Sequence, residues 1–533
     1  MSPDQEMGQG GHIRTAHRPE TVPSGPSDPV TPLEGHRGTL GWQLGLIATV
    51  SLFSPILVWA QSSERAGIAG FLLVAACLFL LGLGARLLMT AASLDPIGST
   101  VAVAILILGF TNAGLLLESY HRPVLVSGVV GAAAICYRLR GFGPWRVVAF
   151  WGSVLLLIYP WMVAMTARGG PSPRQIPDPP PITADFVATH RDVLLLVLDG
   201  YANAEVLNEL YDYDSAEFQR TLESYGFQVN SHTVANYGRT RLSVASMLQL
   251  GYPVTEGSLS GGDLAWLLEV IGGDHRLGAW FQANGYRHVY VESGWFGTRC
   301  QEAVDTCIRG PLPDESIYDV ANRSILKDLP GLETGRSFTR GALRAMEWLR
   351  GDLEDLLHNE TPELIYAHLL MPHPPLFLDE ECAMRAQDGF KGFTIYQPGM
   401  SPAELASARR WYGRQVDCVN EVLTEVAALA DATDSIAVVF GDHGPDSLGQ
   451  LYIPGVQWSE EQRFERLSAM LAARAPGCDM NALDSLVNVG RRLVTCLSDA
   501  EFPDLPTMTY ESELTPAGDR IVAVPTPSFG ERP

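Results

Sequence analysis

Five apolar stretches follow one another in the first third of the chain, at about 40–60, 67–85, 97–117, 123–137 and 145–166. Most are long enough to cross roughly 30 Å of hydrocarbon. The breaks between them carry charge or proline: Glu64 and Arg65, Arg86, Asp95 and Pro96, Glu118 and Arg122, Arg138 and Arg140. The stretch at 123–137 is short and Gly/Ala-rich, the weakest of the set. Buried helices of a large soluble protein are the alternative, but five such runs in a row with charged hinges are hard to bury otherwise. A cleaved leader fits poorly, because the first run starts near residue 40 and four more follow.

Arginine placement sets an orientation. With the N-terminus inside, Arg14, Arg18, Arg37, Arg86, Arg138, Arg140 and Arg146 all lie inside, and only Arg65 and Arg122 fall outside. An odd number of spans then puts everything after residue 166 outside. The expected location is a cell membrane, plasma or inner, crossed several times, with the large domain extracytoplasmic.

Around this anchor the chain divides into segments. Residues 1–38 are rich in Pro, Gly, Ser and His without apolar period and are expected to be disordered. The membrane domain covers 39–167. Residues 168–184, RGGPSPRQIPDPPPITA, read as a Pro-rich spacer. A folded domain spans 185–511, and 512–533 reads as a flexible tail. With 37 basic and 60 acidic residues, a net charge of −23 argues against a nucleic-acid partner.

Cysteine usage is consistent with an exterior domain. Cys77 and Cys136 lie in the apolar spans, while Cys300, Cys307, Cys382, Cys418, Cys478 and Cys496 lie in the large domain. An even number with two close pairs suits an oxidising compartment and up to three disulfides. Cys300–Cys307 and Cys478–Cys496 are the preferred pairs, leaving Cys382–Cys418. Six free thiols are the alternative. No C-x-x-C zinc spacing occurs.

The large domain alternates strands and helices. VLLLVL (193–198) is a continuous apolar run, as a strand buried on both faces requires. HVYVES (288–293), LIYAHLLM (364–371) and IAVVFGDHG (436–444) behave alike, with helical stretches at about 203–224, 240–250, 338–357 and 403–430. The last opens on Ser401-Pro402-Ala403-Glu404, a capping box with proline at the first helical position. The expected fold class is α/β, a mostly parallel sheet flanked by helices, preceded by an α-helical membrane domain of about five spans.

Sites in such sheets collect at the carboxyl ends of strands. Asp199 ends one strand and Asp442-His443 another, which puts metal-friendly groups at two strand ends. A single such Asp is more often a helix cap; two strand ends favour a metal. Thr240 stands where a Gly-containing turn enters an apolar helix, a place where unpaired N–H groups favour phosphate or sulfate. Alone, it is a plain N-cap. His373, followed by Pro374 and Pro375, holds an imidazole at a third strand end. His368 lies within that strand, where a structural role is favoured.

These segments resemble the alkaline phosphatase superfamily, in its membrane-anchored sulfatase-like branch of lipoteichoic acid synthases and phosphoglycerol or phosphoethanolamine transferases. LLLVLDGY resembles the first metal-ligand strand, GRTRLSVASML the nucleophile segment, HLLMPHPPLF the His-x-Pro segment and VVFGDHG the closing Asp-His segment. SLVNVGRRLV…FPDLPTMTYE (485–511) resembles the end of the catalytic domain, and the five-span anchor matches the synthase layout. The resemblance implies that Asp199, Thr240, Asp442 and His443 hold one divalent metal ion. Mn²⁺ or Mg²⁺ suits oxygen ligands plus one imidazole, with Zn²⁺ as the third choice. It further implies that Thr240 is the nucleophile and that His373 binds the transferred group.

Two departures matter. Many relatives place Glu where Asp199 stands. Sulfatases need Cys or Ser in a C/S-x-P-x-R frame, where this chain has Thr240-Arg241-Leu242-Ser243-Val244. The implied activity is metal-dependent transfer of a phosphoryl-linked headgroup from a membrane lipid to a cell-envelope lipid or glycan, through a phospho-threonine. Trp295, Arg299, Arg239 and Arg241 are candidate contacts to the substrate, with His368 beside them. A phosphodiesterase or sulfatase-like hydrolase is the nearest alternative, and a non-catalytic membrane binding module the most distant.

Overall fold

The computed structural model describes residues 33–529 except 62–67, 113–121, most of 140–173, 187–190, 310–319, 327–333, 358–360, 386–391, 516–517 and a few single positions.

The N-terminal third contains the helices Leu33–Gln61, Ile68–Ala91, Pro96–Asn112 and Arg122–Arg138. The first opens inside the segment expected to be disordered; residues 1–32 lie outside the described set. Leu40–Trp59 and Gly70–Ala91 are long and apolar enough to cross a membrane. The other two helices have 17 residues each, about 25 Å at 1.5 Å per residue, short of a full span. The fifth expected span, 145–166, falls largely outside the described residues. Arg86 differs from its reading as a hinge charge. It lies within Ile68–Ala91, is buried, and donates to Thr100 Oγ1 at 3.0 Å and to Gln43. Such a cation inside a helix group needs polar partners, and neighbouring helices supply them.

The large domain is built on strands β1 (Val193–Leu198), β2 (Gln228–Asn230), β3 (Gly257–Ser258), β4 (Arg287–Val291), β5 (Thr306–Ile308), β6 (Glu363–Leu369), β7 (Ile436–Gly441), β8 (Leu471–Arg474), β9 (Thr509–Thr515) and β10 (Gly518–Val524). Seven form one sheet in the order β2-β8-β7-β1-β6-β4-β5. β7, β1, β6, β4 and β5 are parallel, and β8 is antiparallel to both β7 and β2. The sheet is therefore mixed, with a parallel centre flanked by helices.

β1 lies at the heart of this sheet, and all six of its residues have no exposed surface. Val193, Leu195 and Val197 enter one apolar cluster, and Leu194, Leu196 and Leu198 enter another on the opposite face. Alternate side chains leave a strand on opposite faces, so a strand covered on both sides must be apolar throughout. The expected helix 203–224 is two helices, Ala204–Tyr211 and Ala216–Ser224. Asp212, at φ 53°, ends the first in the left-handed region, which Asp tolerates better than most residues. Pro402–Ala432 begins as expected, with the reciprocal Ser401–Glu404 box and Pro402 in its first turn.

Three segment readings are corrected. The Pro-rich spacer is docked where it is described: the amides of Gln175 and Ile176 donate to Asp263 Oδ1 at 2.7 and 2.9 Å, and Ile176 and Ile182 join the core. The segment after 511 is folded rather than loose, since β9 and β10 pair antiparallel and β10 pairs with β3. Thr509, Tyr510, Glu511 and Ser512 are all buried, so the hairpin is covered on both faces at that point. Cys300–Cys307 and Cys382–Cys418 are disulfides, whereas Cys478 and Cys496 are free thiols. The two thiols lie beside each other without a covalent link.

Candidate active site

Strand register assembles the site. Leu198 of β1 stands opposite Gly441 of β7, and the next residues are Asp199 and Asp442. Both carboxylates thus leave the same rim of the sheet at the same level. His443 follows directly. Candidate ligand atoms of Asp199, Asp442 and His443 all lie within 4.8 Å of one another, and all three residues are buried. His443 Nε2 is 3.3 Å from Asp442 Oδ2 and 3.8 Å from Asp199 Oδ1.

Thr240 opens the helix Thr240–Leu248. Its Oγ1 lies 3.1 Å from His443 Nε2. Ser243 Oγ donates to the Asp442 carbonyl, tying this helix to the β7 end. Gly444 lets the following turn pass closely, because a Cβ there would stand 1.8 Å from the Glu465 carbonyl oxygen.

Hydrogen bonding assigns the protons. His443 Nδ1 faces the Gly444 carbonyl at 3.0 Å, and a carbonyl only accepts. Nδ1 therefore carries the proton and Nε2 offers a lone pair toward Thr240 and the carboxylates. Asp442 Oδ1 accepts from the amides of Gly200 and His443, both at 2.8 Å. Asp442 Oδ2 and Asp199 Oδ1 are buried without a hydrogen-bond partner among the described residues. Burial pushes Asp199 up to about 7, opposed by Arg466. Burial, then the like charge of Asp199, pushes Asp442 up to about 8. Burial and Arg466 hold His443 well below the usual histidine range. Two costly carboxylates beside a neutral imidazole lone pair are what a divalent cation stabilises.

His373 joins them, its ring 6.4 Å from that of His443. Its Nδ1 donates to the Pro374 carbonyl, and burial lowers its pKa. The neutral ring keeps a lone pair on Nε2. A cavity of about 530 Å³ opens beside Thr240, lined among others by Arg239, Arg241, Trp295, Tyr452 and Ser512. The Arg241 guanidinium lies 5.9 Å from the Trp295 ring centroid.

The structure thus brings together Asp199, Thr240, Asp442, His443 and His373, with Arg239, Arg241 and Trp295 on the cavity wall. Two expected substrate contacts lie elsewhere. Arg299 is exposed and outside the cavity lining. His368 is fully buried in β6, with Nε2 3.9 Å from Asp199 Oδ2, and does not line the cavity.

Sequence reasoning missed Arg466 and Glu511. Arg466 is buried and donates to the Gly238 carbonyl at 2.9 Å, the Gly444 carbonyl at 2.8 Å and His443 Nε2 at 3.2 Å. It joins the turn before Thr240 to the turn after Asp442. Glu511 pairs with Arg239 at 2.8 Å. No local pattern marks either residue.

The sequence model of the Sulfatase family matches residues 191–464, which contain every candidate ligand. Among solved structures, the chain is similar to the C-terminal periplasmic domain of EcEptC from Escherichia coli, with 14% identity, 66% of this chain and 98% of that chain covered, and a TM-score of 0.41. It is also similar to the periplasmic domain of the phosphoethanolamine transferase EptC from Campylobacter jejuni, at 12% identity, 58% and 89% coverage and a TM-score of 0.36. A third is the lipoteichoic acid synthase LtaP from Listeria monocytogenes, at 12% identity, 62% and 81% coverage and a TM-score of 0.36. No curated protein matches the sequence. The Sulfatase match covers just over half of the chain, and the chain belongs to that family, as an enzyme of the alkaline phosphatase superfamily.

Proposed function

We propose that the chain transfers a phosphoryl-linked headgroup of the phosphoglycerol or phosphoethanolamine type from a membrane lipid to a cell-envelope lipid or glycan, through a phospho-threonine on Thr240. The observation that carries this reading is the placing of Thr240 Oγ1 3.1 Å from His443 Nε2, at a helix N-terminus beside two unpartnered buried carboxylate oxygens.

Asp199, Asp442, His443 and Thr240 would hold one divalent cation, and the two carboxylate oxygens left without a hydrogen bond among the described residues fit it. When bound, it supplies a positive charge that eases deprotonation of the hydroxyl and offsets charge on phosphoryl oxygens. Thr240 then attacks phosphorus, and the amides at the start of its helix face the accumulating negative charge. His373 Nε2 takes up the proton that leaves Thr240 Oγ1 and hands it to the departing alcohol oxygen as its bond to phosphorus breaks; the incoming alcohol then gives Nε2 its proton, which returns to Thr240 as the phospho-threonine bond breaks. Arg239 and Arg241 attract the anionic substrate into the cavity. Mn²⁺ and Mg²⁺ suit the oxygen-rich set best, with Zn²⁺ also compatible.

The family match also supports a hydrolase, in which water replaces the acceptor alcohol. A sulfate-ester hydrolase of the usual kind is disfavoured, because Thr240 cannot form the aldehyde hydrate that Cys or Ser provides. The two helices long enough to cross a membrane support an anchored enzyme working at the outer headgroup layer, where lipid substrates are concentrated.

The test is mass spectrometry of the full-length protein with Mn²⁺ and a panel of phosphatidylglycerol and phosphatidylethanolamine. A covalent adduct on Thr240, absent in Thr240→Ala, is expected. Unchanged turnover in Thr240→Ala removes the threonine from the chemistry, and glycerol phosphate released without transfer selects the hydrolase.

A further inference from the structure

We propose that Glu511, on strand β9, is a positioning residue of the active site. It grips Arg239 at Nε so that the Nη1–Nη2 edge of the guanidinium stands as a two-pronged receptor for phosphoryl oxygens beside Thr240. The inference deepens the proposed function and takes the identity of the transferred group from it, whereas the anion-binding geometry stands on its own observations.

The first observation is how Arg239 is held. Its Nε donates to Glu511 Oε1 at 2.8 Å, with the arginine side chain 41% exposed and the glutamate 2% exposed. That bond uses the inner nitrogen only. Nη1 and Nη2 make no hydrogen bond with the described residues, and Arg239 lines the cavity next to Thr240. A guanidinium tethered at Nε with its outer edge vacant has the geometry that grips two oxygens of a phosphate at once. Arg239 also occupies the N-cap of the nucleophile helix without making a capping bond. A guanidinium has donors only and cannot cap the helix amides, so those N–H groups are left to an anion.

The second observation is that the backbone fixes Glu511 against the nucleophile turn. The Tyr510 amide donates to the Asn236 carbonyl at 2.9 Å, and the Gly238 amide donates to the Tyr510 carbonyl at 3.2 Å. The Tyr237 and Tyr510 rings stack with centroids 5.3 Å apart. Residues 236–238 and 510 are thus clamped in one parallel register, with Tyr237 opposite Tyr510, which places residue 511 beside residue 238 and within reach of Arg239. Gly238 permits the approach. A Cβ there would stand 2.1 Å from Glu511 Oε2, so any side chain at 238 would push the carboxylate away from Arg239. The hairpin also supplies Ser512 and Asp519 to the cavity wall.

The third observation is the chemistry of the pair. Glu511 is buried beside two arginines, Arg239 and Arg466. A solitary buried carboxylate would be costly, and the neighbouring cations offset that cost. A side chain that served only to neutralise Arg466 would have no need of the Arg239 Nε bond, which costs a long, half-exposed arginine its rotamer freedom.

The test uses the full-length protein in detergent, with inorganic phosphate binding followed by calorimetry and turnover followed with bis(4-nitrophenyl) phosphate. Arg239→Gln is expected to weaken phosphate binding by about 10-fold or more, the scale of a lost charge-assisted bidentate contact. Glu511→Gln should weaken it several-fold, and the double variant should bind no worse than Arg239→Gln alone. Arg239→Lys should recover only part, because an ammonium has no fork. Additive losses, or unchanged binding in Glu511→Gln, would overturn the proposal. If Glu511→Gln does not fold, Glu511→Asp, which keeps the charge but draws it back by one methylene, takes its place with the same expectations. Phosphate binding that follows Arg239 and Glu511 without a Thr240 adduct sinks the nucleophile reading and supports this one. An adduct with phosphate binding indifferent to both residues does the reverse.

Discussion

Leu198 and Gly441 face each other across the parallel β1–β7 ladder, and the residue after each is an aspartate whose carboxylate carries an unpartnered buried oxygen. Two parallel strands ending level are enough to bring Asp199 and Asp442 together over a separation of more than two hundred residues. Replacing Asp442 by Asn keeps the shape and removes the charge. The variant is expected to lose Mn²⁺ affinity by about 100-fold or more. Its metal-free form should be no less stable than wild type, since it no longer buries that carboxylate. Calorimetric Mn²⁺ titration and thermal melts in chelator check both halves, and wild-type affinity in Asp442→Asn would refute the ligand assignment.

Arg466 donates to two carbonyls and one imidazole from a buried position. Arg466→Leu leaves those acceptors without their donor and should cost about 3–5 kcal/mol of stability. Arg466→Lys should recover little, because one ammonium does not span three acceptors held by a planar fork. Denaturant melts of the three proteins give the comparison. A lysine variant as stable as wild type would show that charge alone suffices.

His275 and His288 stack edge to face at 5.2 Å inside the core, away from the cavity. Burial lowers His288 to about 4 and His275 well below the usual range. In the unfolded chain both take up protons near pH 6.5. Between about 6.5 and 4 the unfolded state therefore holds more protons, so stability falls as the pH falls through that window and is complete above it. Thermal melts from pH 7.5 to 4.5 should show this slope, and His288→Leu should flatten it. An identical slope in the variant would place the acid sensitivity elsewhere.

The Cys382–Cys418 disulfide closes a sequence separation of 36 residues, and Cys300–Cys307 closes only 7. Loop-closure entropy puts the longer link at about 4 kcal/mol and the shorter at about 2. The double variant Cys382→Ser/Cys418→Ser should therefore melt lower than Cys300→Ser/Cys307→Ser. The reverse order would mean that the unfolded chain already keeps 382 and 418 close.

Much of the site was legible because its ligands follow continuous apolar runs. VLLLVL-Asp199 and IAVVFG-Asp442 announce buried parallel strands, and such strands end where a site forms. Thr240 was marked by the turn that enters its helix. Arg466 and Glu511 carry no such mark, since the contacts that bring each to the Thr240 turn, at Gly238 and Arg239, are more than two hundred residues away in sequence. The rest of the hairpin, after residue 511, lies in a Pro-rich stretch whose composition hides the pairing of β9 with β10 and of β10 with β3. His368 was legible as a strand residue, and its interior place follows from being paired with Val197 one step before the rim.

The bonds from Gln175 and Ile176 to Asp263 shorten the leash on which the catalytic domain works. From residue 175 onward the strap moves with the sheet and adds no reach of its own, because Asp263 holds its amides and Ile176 and Ile182 are packed into the core.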